Sequence, residues 1–146
     1  MAHYEEAFEH IAQKYPQKVA LTVGYSEVLA HQIEAGSDIF LMPSIFEPCG
    51  LNQMYSLRYG TLPVVNAVGG LRDTVSESPL DDIDVTGNGF VFRETLPESL
   101  FAAIERALTA YQTPAYWKKL QLNAMGQDFS WDSSAKEYLE VYNKII

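Results

Sequence analysis

The sequence holds one cysteine, Cys49, among 146 residues. That excludes an internal disulfide framework and agrees with a reducing compartment. Basic residues are scarce: ten Lys and Arg stand against nineteen Asp and Glu, a formal charge of -9. This balance argues against a general nucleic-acid surface, although a local basic site could still meet a phosphate. No apolar run reaches the roughly 18 residues of a membrane span, and no basic-then-apolar leader opens the chain, so no membrane partner is expected. The three histidines, His3, His10 and His31, have no Cys or His neighbours at metal-ligand spacing, and no metal site is expected. Neither a P-loop nor the dinucleotide glycine fingerprint occurs. Internal repeats are missing as well.

What is present is enough for one globular domain with a real core: 47% hydrophobic residues, including nine tyrosines. Tyr4 to Lys14 has Ala7, Phe8, Ile11 and Ala12 at helical spacing. Val19 to Val23 then reads as a strand ended by Gly24, and Glu27 to Ala35 as a helix stopped by Gly36. The same order recurs twice. Ile39-Phe-Leu-Met42 is a short strand closed by Pro43, followed by a loop and by a helix over Leu51 to Tyr59. Leu62-Pro-Val-Val65 is the next strand, with a glycine loop over Asn66 to Gly70 and a short helix from Leu71 to about Glu77. Such units predict a parallel sheet flanked by helices, of about four strands once Gly89 to Phe92 is counted. Ser78 to Asn88, rich in aspartate and turn formers, is expected as a surface excursion. Thr95 is a candidate cap for a helix with Pro97 in its first turn and Leu100, Ile104, Leu108 and Tyr111 along one side. A helix from Pro114 to about Met125 and one from Trp131 to Ile145 close the chain.

The chemistry gathers at the strand ends. Glu47 lies in a proline-marked loop directly after a strand, the place where α/β sheets build small-molecule sites. A carboxylate there can be aimed into a cleft by the backbone; the alternative is a solvated loop glutamate. Gly50-Leu51-Asn52 opens a helix, where unpaired N–H groups favour an anion or a sugar oxygen. Gly69-Gly70 opens another, and glycines remove side chains that would block a phosphate. Alone, such a pair is equally a tight turn. Arg72 is expected in a surface salt bridge. Cys49, between Pro48 and Gly50, reads first as a packing or backbone-placing residue.

Residues Pro43 to Gly60, with Thr61-Leu-Pro-Val-Val65 and Gly69-Gly-Leu-Arg-Asp-Thr-Val75, resemble the carboxyl-terminal half of a bacterial-type glycogen or starch synthase. The resemblance implies an α/β fold, a Rossmann-like partial donor domain of a two-domain GT-B glycosyltransferase. It implies glucose transfer, with retention, from ADP-glucose or UDP-glucose to the nonreducing end of an α-1,4-glucan, with no further cofactor and in the cytoplasm. It assigns Glu47 to catalysis. Tyr25, Ser44, Cys49, Gly50, Leu51, Asn52, Tyr55, Gly69 and Gly70 fall to the donor: Tyr25 beside the base, Gly50 to Asn52 at the distal phosphate and glucose, Gly69-Gly70 as the glycine loop. Tyr55 stands where many relatives carry a second glutamate, and shaping of the nucleotide site competes with helix packing as its role. Ile45 replaces an arginine frequent in the family, which removes a countercharge from this loop.

The resemblance also implies what is missing. The basic Ser-Arg and Lys-Gly element that grips donor phosphates has no counterpart, nor does the acceptor domain through which glucan would bind. Residues 1–128 are therefore expected as a partial donor domain and 129–146 as a helix packing back toward the absent domain, with weak or no activity for the piece alone. A sugar-nucleotide epimerase or a phosphorylase is the rival enzyme class, the latter needing a pyridoxal-bearing lysine for which no motif exists. A noncatalytic α/β module binding sugar nucleotide or glucan is the nonenzymatic alternative.

Overall fold

The computed structural model describes residues 2–80 and 85–145. In chain order they form α1 (Ala2–Lys14), α2 (Glu27–Ala35), β1 (Ile39–Met42), α3 (Asn52–Tyr59), β2 (Leu62–Asn66), α4 (Gly69–Thr74), β3 (Phe90–Phe92), α5 (Pro97–Tyr111), α6 (Pro114–Met125) and α7 (Trp131–Ile145). The chain divides into two units, residues 1–30 and 31–146, the division falling within α2.

The first unit holds α1, a turn over residues 16–18 and an irregular stretch before α2. Val19 to Val23 was expected to be a strand and is not one; Leu21 and Val23 are exposed. A strand exists through the ladder it shares with a neighbour. Among the described residues the only sheet is β1-β2-β3, and this apolar run pairs with none of its strands. Three strands result, one fewer than the sequence suggests.

The second unit is built on that sheet, which is parallel throughout. Ile39 pairs with Leu62 and Met42 with Val65, while Val64 pairs with Phe90 and Asn66 with Phe92. β2 is central, and all five of its residues are buried, as a parallel strand covered on both faces requires. Side chains alternate across it. Leu62 and Val64, with Phe90 and Phe92, join Leu57 of α3, Ala103 and Ala107 of α5 and Trp117 and Leu120 of α6 in the larger core. Val65 packs on the opposite face with Leu71 and Val75. Trp117 stacks on Phe90 at 6.3 Å between ring centroids and takes the edge of Tyr111 at 5.1 Å, an arrangement favoured by the ring quadrupoles.

Three local expectations change on this scaffold. In α5 the buried face is Ala103, Ala107 and Ala110, whereas Leu108 and Tyr111 are about half exposed. Small residues let the helix backbone approach the sheet, and the larger side chains flank the contact. Thr95 does not cap α5, whose N-cap position is Leu96 without a side-chain bond; its hydroxyl instead accepts from Asn66 Nδ2 at 3.2 Å. The stretch from Ser78 to Asn88 is not simply a surface excursion, because Ser78, Gly87 and Asn88 are buried. Ser78 Oγ accepts from the Thr86 and Gly87 N–H groups, and Asn123 Nδ2 from α6 donates to the Val85 and Gly87 carbonyls. Asp81, Asp82 and Asp84, the aspartates behind that expectation, lie outside the described residues.

β3 lies at one edge of the described sheet, and a side-chain pair closes it. The Val91 N–H donates to Glu77 Oε2 at 2.9 Å, and Arg106 Nη2 donates to the Val91 carbonyl at 2.8 Å. Arg106 also grips both Glu77 oxygens, at 2.6 and 3.0 Å. The bidentate pair thus does for Val91 what a neighbouring strand would do. Those hydrogen bonds to Glu77 hold the Arg106 guanidinium above its ordinary pKa, against the opposing effect of its partial burial.

Candidate functional site

The parallel register sets Met42, Asn66 and Phe92 at one edge, so the loops that follow β1 and β2 emerge side by side. The first carries Ser44 to Gly50 into α3; the second carries Ala67 and Val68 into α4. These loops touch through their backbones. The Gly70 N–H donates to the Glu47 carbonyl at 3.2 Å. A Cβ at Gly69 would overlap the Glu47 carbonyl oxygen, and one at Gly70 would overlap that of Cys49.

This contact supplies a reason for the two glycines that differs from an open phosphate cradle. They let one loop lie directly on the other, and the Gly70 amide is already spent on that packing. α4 begins at Gly69 itself, two residues earlier than the sequence suggests, and is only six residues long.

Glu47 is half-buried, and Ser44 Oγ donates to its Oε2 at 3.3 Å. Ser44 is held in turn, because its carbonyl accepts from Asn66 Nδ2 at 3.0 Å. Asn66 is fully buried at the end of β2, and its Oδ1 has no partner. A buried amide with one oxygen unsatisfied carries a cost, here in exchange for fixing the start of the carboxylate loop. Nothing in the sequence singled out Asn66. Its only signal was a polar residue directly after an apolar strand, in the stretch read as the glycine loop.

Gly50 has φ +75°, a left-handed conformation favouring glycine. It turns the chain into α3, whose N-cap position, Leu51, provides no side-chain cap. The first amides of an eight-residue helix are therefore presented at the loop without a capping side chain. Pro48, Cys49, Leu51, Gly70 and Thr74 line one wall of a groove of about 620 Å³ that Trp131, Ser133, Ser134 and Glu137 of α7 complete. Cys49 is exposed, its sulfur 3.6 Å from the Gly50 carbonyl.

The other sequence-predicted residues belong to several elements. Tyr55, on α3, lines with Arg58 and Gln127 an adjoining cavity of about 450 Å³, which shares Leu51, Met54, Asp128 and Phe129 with the groove, and its ring lies 4.9 Å from that of His31. The His31 Nδ1 is 3.4 Å from the Tyr59 hydroxyl. Ile45 is largely exposed beside the carboxylate. Arg72 pairs with its neighbour Asp73 at 3.5 Å, both side chains being exposed. Tyr25 belongs to the first unit, in the turn before α2, and is 92% exposed. No helix among the described residues is long and apolar enough to cross a membrane.

Comparison with known proteins bears on the whole of this architecture. The family model for glycosyl transferases group 1 matches residues 3–121. A glycogen synthase of Cellvibrio japonicus is 64% identical over 140 residues, covering 96% of this chain and 29% of that protein. One of Marinobacter nauticus is 55% identical over 144 residues, covering 99% of the chain and again 29% of the relative. The chain thus spans under a third of the length of these relatives. Among solved structures, the catalytic domain of starch synthase IV from Arabidopsis thaliana, bound to ADP and acarbose, superposes with a TM-score of 0.80 at 40% identity, over 99% of this chain and 30% of that one. The parallel sheet with its flanking helices and the extent of the family match lead to one conclusion: the chain belongs to the group 1 glycosyl transferases.

Proposed function

We propose that this chain is the donor-binding part of a retaining glycosyltransferase that moves glucose from ADP-glucose, or UDP-glucose, to the nonreducing end of an α-1,4-glucan. The observation that carries the reading is the interlock of the Glu47 loop with Gly69-Gly70 at the carboxyl ends of adjacent parallel strands. In this reading the distal phosphate lies at the amides of Leu51 and Asn52, where the N-terminus of α3 favours negative charge. Glu47, oriented through Ser44, accepts hydrogen bonds from the glucosyl hydroxyls and stabilises the positive charge that grows at the anomeric carbon as the phosphate departs. The starch synthase neighbour was solved with ADP, the nucleotide that such a donor releases.

The opposing domain supplies the acceptor, and the 146 residues alone have little or no transferase activity. Calorimetric titration of the chain with ADP-glucose, UDP-glucose and a maltooligosaccharide tests the assignment. A nucleotide sugar is expected to bind more tightly than the glucan. Tighter binding of the maltooligosaccharide would replace the reading with a glucan-binding module.

A further inference from the structure

We propose that Gln53 and Thr74 are positioning residues that lock the carboxylate loop to the glycine turn and so set where Glu47 stands relative to a bound donor, an inference that rests on the donor-site reading above. Gln53 is fully buried on α3. Its Nε2 lies 3.2 Å from the Cys49 carbonyl, 3.1 Å from that of Gly50 and 3.2 Å from Thr74 Oγ1 on α4. An amide nitrogen has two hydrogens, so one is shared between the loop carbonyls and the other goes to the threonine. Turning the amide over would set its oxygen against two carbonyl oxygens, which fixes its orientation. Thr74 accepts because its own hydrogen is spent on the Gly70 carbonyl at 2.6 Å. The Gly70 N–H reaches the Glu47 carbonyl, and the path closes on the loop where it began.

Packing alone does not account for this amide. Gln53 Oε1 is buried without a partner, a cost that a leucine of similar size would avoid. The loop also makes room for it: a Cβ at Gly50 would stand 2.5 Å from that same oxygen. What the amide adds to the glycine backbone contacts is a side-chain link from the Cys49 and Gly50 carbonyls to α4. A shift of the carboxylate loop relative to the turn would move Glu47 against the sugar, and misplacement of about 1 Å is enough to cost catalysis heavily.

The test has two arms. In the 146-residue chain, amide hydrogen exchange should show Gln53→Leu and Thr74→Val each lowering protection of the Gly70 amide about tenfold or more, while amides of α6 keep theirs. Thr74→Ser, which retains the hydroxyl, should recover most of that protection. Unchanged exchange at Gly70, or a uniform loss along the whole chain, would overturn the proposal. The second arm places this chain in the Cellvibrio japonicus glycogen synthase across the matching 140 residues. There both variants should lower kcat about tenfold or more with the acceptor KM unmoved, and Thr74→Ser should restore most of it. A parent chimera that is active, with Gln53→Leu turning over equally fast, would refute the positioning role and leave the donor reading standing. An inactive parent whose Gly70 exchange still responds to Gln53→Leu would uphold the lock and remove the donor reading.

Discussion

Gly70→Ala isolates the contact on which the site depends. The Gly70 backbone is not in the left-handed region, so alanine meets no conformational penalty there and the effect is steric. Its methyl carbon would stand 2.7 Å from the Cys49 carbonyl carbon and 2.8 Å from the Cys49 Cα, where ordinary contact begins near 3.4 Å. Those are backbone atoms, unable to rotate away. The carbonyl carbon alone would require the two loops to part by roughly 0.7 Å in a close-packed setting, and the Cys49 carbonyl oxygen, nearer still, requires more. Overpacking of this kind costs about 1–3 kcal/mol, and part of the Gly70–Glu47 hydrogen bond goes with it. For a chain of this size that corresponds to a fall in Tm of roughly 2–4 °C per kcal/mol. Urea unfolding of the 146-residue chain should show a lower midpoint at unchanged slope, and amide spectra should change most over residues 47–50 and 69–71. A variant with the parent midpoint and unshifted amides at 47–50 would refute the loop-on-loop packing.

Arg106→Met should destabilise by about 1–3 kcal/mol, because it leaves the partly buried Glu77 carboxylate and the Val91 carbonyl without their shared donor; thermal or urea unfolding measures this, and a shift below a few tenths would reduce the pair to a surface salt bridge. Glu34 is buried and its Oε2 has no partner, and burial raises its carboxyl pKa while His31 partly opposes the rise. A raised folded pKa means that the native state binds the proton more tightly than the unfolded chain. Stability should therefore fall as pH rises from the ordinary glutamate range through the folded value. Glu34→Gln should flatten that part of the stability-against-pH curve, and an unaltered curve would show that the carboxyl does not titrate abnormally.

Elements whose punctuation is local were legible in the sequence. β1 matches its expected residues because Pro43 ends it, and α6 starts at Pro114 because that ring suits a first helical turn. Val19 to Val23 misled because a strand pattern says nothing about whether a partner exists. In α5 the pattern of large apolar residues outweighed the alanines, yet proximity to the sheet favoured the small side chains. Glu47 and Gly69-Gly70 were visible as chemistry at strand ends, but their mutual contact depends on register, which no single segment carries. Gln53, Thr74 and Asn66 were not singled out. Their trace is faint: Gln53 and Ser56 share the buried face of α3 with Leu57, and polar residues at core-facing positions call for a partner.

The central claim is that the carboxylate held after β1 serves the transferred glucose. The most direct measurement is glucose transfer from ADP-glucose to glycogen by the Cellvibrio japonicus chimera and its Glu47→Gln variant. The substitution keeps the size, removes the charge and exchanges one acceptor oxygen for an NH2 donor. Turnover should fall about 100-fold or more while the donor KM stays within about threefold, as expected for a group acting mainly in the transition state. Equal turnover in the two proteins would contradict the assignment.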